Sequence, residues 1–426
     1  MQEYEHAVAT LLQIVKHGRS LDSNISTDAS PLSRQITYGV LREFYMLEHI
    51  TSSLLDKPLP AKHSDLKLLI FAGIYSIRAL NRPDHASVNA VVNTTAALNK
   101  KWAKGLVNAI LRSYIRKKSE LDDTANANIE VQCNHPKWLA TRIKNAWPDA
   151  ANNIFKANNE QPPMMLRVNI AKTSRDEYLV LLSENDIDAA PGALVDSSIL
   201  LRKPRPVDQL PGFSSGLVSV QDEASQLAGH ILTTKINDSV LDACAAPGGK
   251  TCHLLEINPG IELIANDKDP ARLKSVKENI ERLNLSCQLT SDDLLAIHDK
   301  SFEKILLDVP CSATGIIRRH PDIKLLRRNS DIDKLCAMQI QLLSAAWQLL
   351  KHGGELLYST CSILPEENEN ILSRFLSMHK EAGDVEIIPI QLASGIHGQH
   401  GVQLLPGIQG HDGFYYAHLR KISSSG

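Results

Sequence analysis

The sequence predicts a multidomain chain in three parts: an N-terminal all-α bundle, a small α+β domain, and a C-terminal α/β domain with a doubly wound sheet. Three observations carry this. Apolar residues keep helical spacing through the first 125 or so positions. The character changes at Gln161-Pro162-Pro163. From about Ala224 onward, short strand-like runs alternate with helical ones, which implies right-handed βαβ units. A length of 426 residues is that of about three domains.

In the segment 1–125, Val8, Leu11, Leu12 and Val15 share one helical face, as do Leu66, Leu69, Ile70 and Ile74. Leu106, Ile110 and Tyr114 mark another helix, and its basic last turn suits the helix dipole. Residues 126–160 are polar and Asn-rich, with Pro136 and Pro148, and read as a connector holding a short helix over 138–146. In 161–223, strands are expected at 164–168, 199–202 and 217–220. A helix is expected over 174–184, with Ser174 as cap and Glu177 three residues on. In 224–422, strands are expected at 240–243, 262–265, 304–307, 355–358 and 413–419. The helices between them fall at 250–256, 270–283, 332–350 and 366–377.

With 43% hydrophobic and 22% charged residues, the composition is that of a soluble globular protein. The acidic start Met1-Gln2-Glu3-Tyr4-Glu5-His6 argues against a signal peptide, and the apolar run Leu68 to Tyr75 is too short to span a bilayer. A cytoplasmic protein with no membrane partner is expected. The seven cysteines then read as reduced thiols, and no Cys-x-x-Cys pair suggests a metal. A net charge of −2 counts against nucleic acid, but the distribution does not. Lys100, Lys101, Lys104, Arg112, Arg116, Lys117 and Lys118 form a stretch without an acid. Arg318, Arg319, Lys324, Arg327 and Arg328 form a second cluster, opposed only by Asp322.

Leu241-Asp242-Ala243-Cys244-Ala245-Ala246-Pro247-Gly248-Gly249-Lys250-Thr251 places a glycine turn between a strand and a helix. Walker A fails because Cys244 stands where a glycine is needed, and Gly-x-Gly-x-x-Gly is absent. Gly248 and Gly249 would let backbone approach a ligand closely. The next strand ends at Asp267, where a carboxylate can accept from both hydroxyls of a ribose. Asp292 or Asp293 ends the strand after that and could hold an adenine amine.

Two cysteines follow strand-like runs: Cys311 in Asp308-Val309-Pro310-Cys311-Ser312, and Cys361 in Ser359-Thr360-Cys361-Ser362. Both are expected at carboxyl ends of strands, where open α/β sheets bind ligands. Two thiols facing a nucleotide-type site suggest covalent chemistry on an unreactive ring. Cys133, Cys252, Cys287 and Cys336 take the ordinary role of small buried hydrophobes.

The segments Asp242 to Thr251, Asp308 to Ser312 and Thr360 to Ser362 resemble three motifs, in order, of the S-adenosylmethionine-dependent RNA cytosine-5 methyltransferases. Arg318-Arg319-His320-Pro321-Asp322-Ile323 and Leu364-Pro365-Glu366-Glu367-Asn368 narrow the resemblance to members that modify one cytosine of 16S ribosomal RNA. It covers the whole chain and implies a NusB-like helical domain, a small RNA-recognition-like domain and a Rossmann-like methyltransferase domain. One departure is Ser291-Asp292-Asp293, where the family has Gly-Asp, so the adenine-contacting aspartate is ambiguous by one residue.

The resemblance implies cofactor contacts from Cys244, Ala245, Ala246, Pro247, Gly248, Gly249, Lys250, Asp267, Asp292 or Asp293, and Asp308. It gives Cys361 the addition to carbon 6 of cytosine, a role suited to a thiol. Asp308 would face the ring's N3 and amine, neutral if it is to donate a proton. Cys311 would assist release, Pro310 would stiffen the loop, and Lys250 would hold Asp308. The implied partner is 16S ribosomal RNA in an unassembled or partly assembled small subunit, bound by a monomer, with both basic clusters holding flanking RNA. The rival readings are a 5-methylcytosine enzyme acting on another ribosomal or transfer RNA site, an amino-methyltransferase, and a non-catalytic NusB-like RNA-binding factor.

Overall fold

The computed structural model describes residues 2–25, 29–123, 127–379, 383–407 and 410–422. It divides into two compact units. One comprises the chain up to Gln161 together with Ile317–Asn329. The other comprises Pro162–Ile316 and Ser330–Gly426.

The first unit is helical and is built around the helix Ser64–Ala79, in which every residue from Leu68 to Ile77 is buried. A helix apolar all round must be enclosed. Here the helices Gln2–Val15, Pro31–Arg42, Phe44–Ser53, Asp84–Ala97 and Lys104–Asp122 pack against it. Gly39 is required there, because a Cβ at that position would lie 1.9 Å from the Tyr75 ring. The boundary expected at 125/126 touches segment 124–126, which lies outside the described residues. Beyond it, the stretch read as a connector carries three helices, Ile129–Cys133, Lys137–Ala146 and Ala151–Asn159, and belongs to this unit. Pro136 directly precedes the second of these helices instead of breaking one. Asn134, in the left-handed conformation at the end of the first, accepts at Oδ1 from the backbone N–H of Tyr45 (3.0 Å) and Met46 (3.3 Å).

Ile317–Asn329 corrects one expectation. Of its basic residues, expected to form a solvated or RNA-facing cluster, Lys324 is 1% and Arg318 4% exposed, whereas Arg328 is exposed. Lys324 Nζ donates to the carbonyls of Arg42 (2.6 Å) and Asn134 (2.9 Å) and to Asn159 Oδ1 (2.9 Å). Burial, and then the nearby Arg42, bring its pKa down to about 7. Arg42 Nη2 donates to the Arg318 carbonyl and Leu21 N–H to Asp322 Oδ2. The side chains of Lys324, Arg42 and Asp322 thus fasten the segment to the helices, and the Lys324 ammonium is not available to phosphates.

The second unit holds two sheets. β1 (Met164–Val168), β2 (Ala189–Pro191), β3 (Ser198–Leu201) and β4 (Val218–Val220) form an antiparallel sheet in the order β2-β3-β1-β4. The helix Arg175–Glu184 starts with the expected capping box between Ser174 and Glu177. The large sheet contains β5 (Ser239–Asp242), β6 (Glu262–Asn266), β7 (Gln288–Thr290), β8 (Phe302–Asp308), β9 (Leu350–Thr360), β10 (Val385–Ile388), β11 (Ile396–His397), β12 (Val402–Leu404) and β13 (Phe414–Lys421). Its order is β11-β12-β13-β9-β8-β5-β6-β7, with β10 on β13. β5 to β9 are parallel, and β13 returns antiparallel to β9. Among the described residues, no helix is long and apolar enough to cross a membrane.

Candidate active site

From β5 the chain order runs outward both ways, through β6 and β7 on one side and β8 and β9 on the other. The carboxyl ends of β5 and β8 therefore flank the topological switch point, where such sheets bind ligands. The loops singled out from the sequence all leave from this end.

After β5, Gly248 has φ +97°, and a Cβ there would meet Val276 Cα at 3.0 Å. It allows the turn and the close approach of the helix Pro270–Leu283. A cavity of about 160 Å³ lies over the loop, lined by Val220, Gln221, Ser225, Asp242, Cys244, Ala245, Ala246, Pro247, Gly249, Lys250 and Asp308. Gly248 does not line it. Asp242 is 1% exposed, and its Oδ2 accepts from Thr251 Oγ1 (2.6 Å). Its Oδ1 has no hydrogen-bond partner among the described residues. Burial pushes this carboxyl up to about 7. Burial, and then Asp242, raise the Cys244 thiol far above its ordinary range, which makes it inert as a nucleophile.

Asp267 is 4% exposed at the end of β6. It accepts from the N–H of Ala246 (3.2 Å) and Asp269 (3.1 Å) and lies 3.3 Å from Arg272 Nη1. Asp293 spends its carboxylate on the N–H of Leu295 (3.2 Å) and on Lys268 (2.6 Å). Asp292 carries neither tie and is exposed.

After β8 and β9, the sulfurs of Cys311 and Cys361 lie 3.4 Å apart. The hydrogen bond to Cys361, and then burial, push the Cys311 thiol well above its ordinary range. Asp308 Oδ2 meets Lys250 Nζ at 2.6 Å, and its Oδ1 accepts from Ser359 Oγ (2.9 Å). Burial alone would lower the Lys250 pKa, but the charge and hydrogen bond of Asp308, together with the nearby Cys361 and Asp242, raise it on balance. Two donors, one of them an ammonium, thus engage Asp308.

Three model families match the chain: "NusB family" over residues 1–116, "Methyltr_RsmF/B-like, ferredoxin-like domain" over 135–208, and "16S rRNA methyltransferase RsmB/F" over 229–420. A Coxiella burnetii protein named probable ribosomal RNA small subunit methyltransferase B is 46% identical, covering 96% of this chain and 97% of its own. The chain belongs to the ribosomal RNA small subunit methyltransferase B family. The Pseudomonas syringae pv. tomato ribosomal RNA small subunit methyltransferase B is 42% identical, with 98% and 97% covered. A crystal structure of a methyltransferase homolog protein from Pyrococcus horikoshii matches with a TM-score of 0.61 at 28% identity. It covers 69% of this chain and 97% of its own.

For a methyltransferase of this family, several residues beyond the expected ones shape the site. Glu367, fully buried, accepts from the Ser312 N–H (2.7 Å), Ser312 Oγ, Ser362 Oγ (2.6 Å) and Gln339 Nε2 (3.1 Å). One carboxylate thereby holds the residue after each cysteine. Arg167, on β1, pairs with Glu256 (2.9 and 2.8 Å) and donates to Gln221 Oε1 (2.5 Å) and the Gly249 carbonyl (2.6 Å). Gln221 and Ser225 line the cavity, yet nothing in the sequence marked them. Arg167 left a signal, a single charge in the buried strand Met164–Val168, and Glu367 lay inside a quoted motif without a role.

Proposed function

We propose that this chain methylates carbon 5 of one cytosine of 16S ribosomal RNA, using S-adenosylmethionine and a covalent cysteine adduct. The observation that carries the reading is the pair of thiols 3.4 Å apart, at the ends of neighbouring parallel strands, beside the cofactor loop. An amino-methyltransferase has no need of that pair, and a non-catalytic RNA-binding factor has no need of the cavity.

The residues fit the cofactor. The unpartnered Asp242 Oδ1 is a buried acceptor suited to an ammonium group. Asp267 would accept from the ribose, and Asp292, free of the ties that occupy Asp293, from the adenine amine. Backbone from Cys244 to Pro247 and at Gly249, with the side chain of Lys250, would close the pocket. When bound, S-adenosylmethionine supplies an electrophilic methyl group.

The target base must leave its stack, at a cost of about a few kcal/mol. The Cys361 thiolate adds to carbon 6, and the electrons of the 5,6 double bond move toward N3, making carbon 5 nucleophilic. Asp308 would accept from the exocyclic amine, while the Lys250 ammonium beside it offsets negative charge on the ring. After methylation, the carbon 5 proton leaves, the double bond reforms and the bond to Cys361 breaks. Cys311 serves this last step. Its pKa is held up first by Cys361. Once that sulfur is bonded to carbon 6 this cause is gone, and Cys311, 3.4 Å from it, is placed to take the carbon 5 proton as its thiolate.

The test is methylation of 16S ribosomal RNA from cells lacking this enzyme, followed by bisulfite sequencing. One protected cytosine, appearing only with S-adenosylmethionine, is expected. Methyl transfer to an amine, or protection of a transfer RNA cytosine alone, would contradict the proposal.

A further inference from the structure

Among the large apolar side chains left exposed in the described residues, one is aromatic: Trp102, 61% exposed. It sits in the single turn Lys101–Ala103 that opens the helix Lys104–Asp122. Ala103 beside it is fully buried, so the turn is anchored. The His63 ring stands 5.3 Å from the indole at 60°. His63 is held in turn, because its Nδ1 accepts from Lys100 Nζ at 3.1 Å, and that ammonium pairs with Asp65 at 3.1 Å. One side of the indole is supported and the rest is open.

The surroundings are cationic. No acidic residue occurs between His85 and Ser119. Lys101 and Lys104 flank the indole, and Arg112, Arg116 and Lys117 continue along the helix, all exposed. Lys104, Arg112 and Arg116 recur at multiples of four residues, so they follow one another along a slowly turning face at about 6 Å per four residues. A flat aromatic surface at the head of a run of cations is complementary to a nucleobase followed by its phosphates. An indole can stack on a base only where that base is unpaired.

We infer that Trp102 is a stacking platform for an unpaired nucleotide of the RNA substrate, with the Lys101-to-Lys117 face holding the adjoining phosphates. This rests on the RNA-modifying reading above and adds the chemistry of a contact remote in sequence from the cysteines. Phosphate contacts on this face would position RNA, and the stacked base requires the segment to be single-stranded.

The test uses the full chain, a short single-stranded RNA and a blunt duplex of the same sequence, with Kd measured by fluorescence anisotropy at several salt concentrations. Trp102→Ala is expected to weaken single-strand binding roughly tenfold. It should leave the salt slope unchanged, since no charge is lost, and leave duplex binding unchanged. Trp102→Phe should restore most of the affinity. Unchanged single-strand affinity in Trp102→Ala would overturn the inference and leave the patch to a protein partner; an equal loss on the duplex would overturn it too. Absence of methyl transfer by the wild-type chain would defeat the functional reading, while these affinities still decide the stacking.

Discussion

Cys311 and Cys361 are fifty positions apart in the chain, and their sulfurs are 3.4 Å apart in space. Glu367 keeps them so, its Oε1 accepting from the Ser312 N–H and its Oε2 from the hydroxyls of both Ser312 and Ser362. A buried carboxylate is costly unless each lone pair is engaged, and here four donors meet it. Glu367→Gln replaces one acceptor with a donor facing a hydroxyl. It is expected to destabilise the chain by about 1–3 kcal/mol and to lower kcat, leaving the cofactor Kd unchanged. Urea titration, methyl-transfer kinetics and calorimetry measure the three quantities. A variant with wild-type kcat would show that Glu367 does not set the cysteine geometry. The cysteines were legible in sequence because each follows an apolar run. Glu367 was not, because its acceptors' partners come from loops that only the fold assembles. The same holds for Asp292 and Asp293, identical in type and adjacent, which differ only in what Lys268 and Leu295 do to one of them.

At the scale of elements, the βαβ alternation was readable because strands such as Phe302–Asp308 carry a short apolar run, here 305–307, closed by a carboxylate. The short strands β2, β11 and β12 were not expected, being two or three residues long. The link from β1 to the cofactor turn was also hidden, since it depends on one arginine crossing between elements. Arg167 has its charged group fully enclosed against Glu256. Arg167→Met should cost about 3–5 kcal/mol, mostly from leaving Glu256 buried and unpaired, and should weaken S-adenosylmethionine binding. The double variant Arg167→Met with Glu256→Met should recover much of the stability but not the cofactor affinity, because Gln221 and the Gly249 carbonyl still lack their donor. Full recovery of both would mean that Arg167 only neutralises Glu256. Calorimetric Kd values and thermal denaturation distinguish these outcomes.

At the scale of the whole chain, the order of helical, small mixed and α/β parts was visible in changes of hydrophobic period. The membership of Ile317–Asn329 was not. Five basic residues in a short stretch read as a solvated or RNA-facing cluster, and nothing local reveals that Lys324 ends on carbonyls of Arg42 and Asn134. That burial removes Arg318 and Lys324 from the candidate RNA surface and leaves the run from Lys101 to Lys117 as the stronger cationic face. The central claim remains the ordered use of two thiols, and a denaturing gel of protein incubated with RNA and labelled S-adenosylmethionine tests it most directly. Cys311→Ala should add and methylate but fail to release, accumulating a denaturation-resistant protein–RNA band that carries label; Cys361→Ala should form no band and transfer no methyl group. A trapped band from Cys361→Ala but not from Cys311→Ala would reverse the roles, and activity in both without any band would contradict the covalent mechanism.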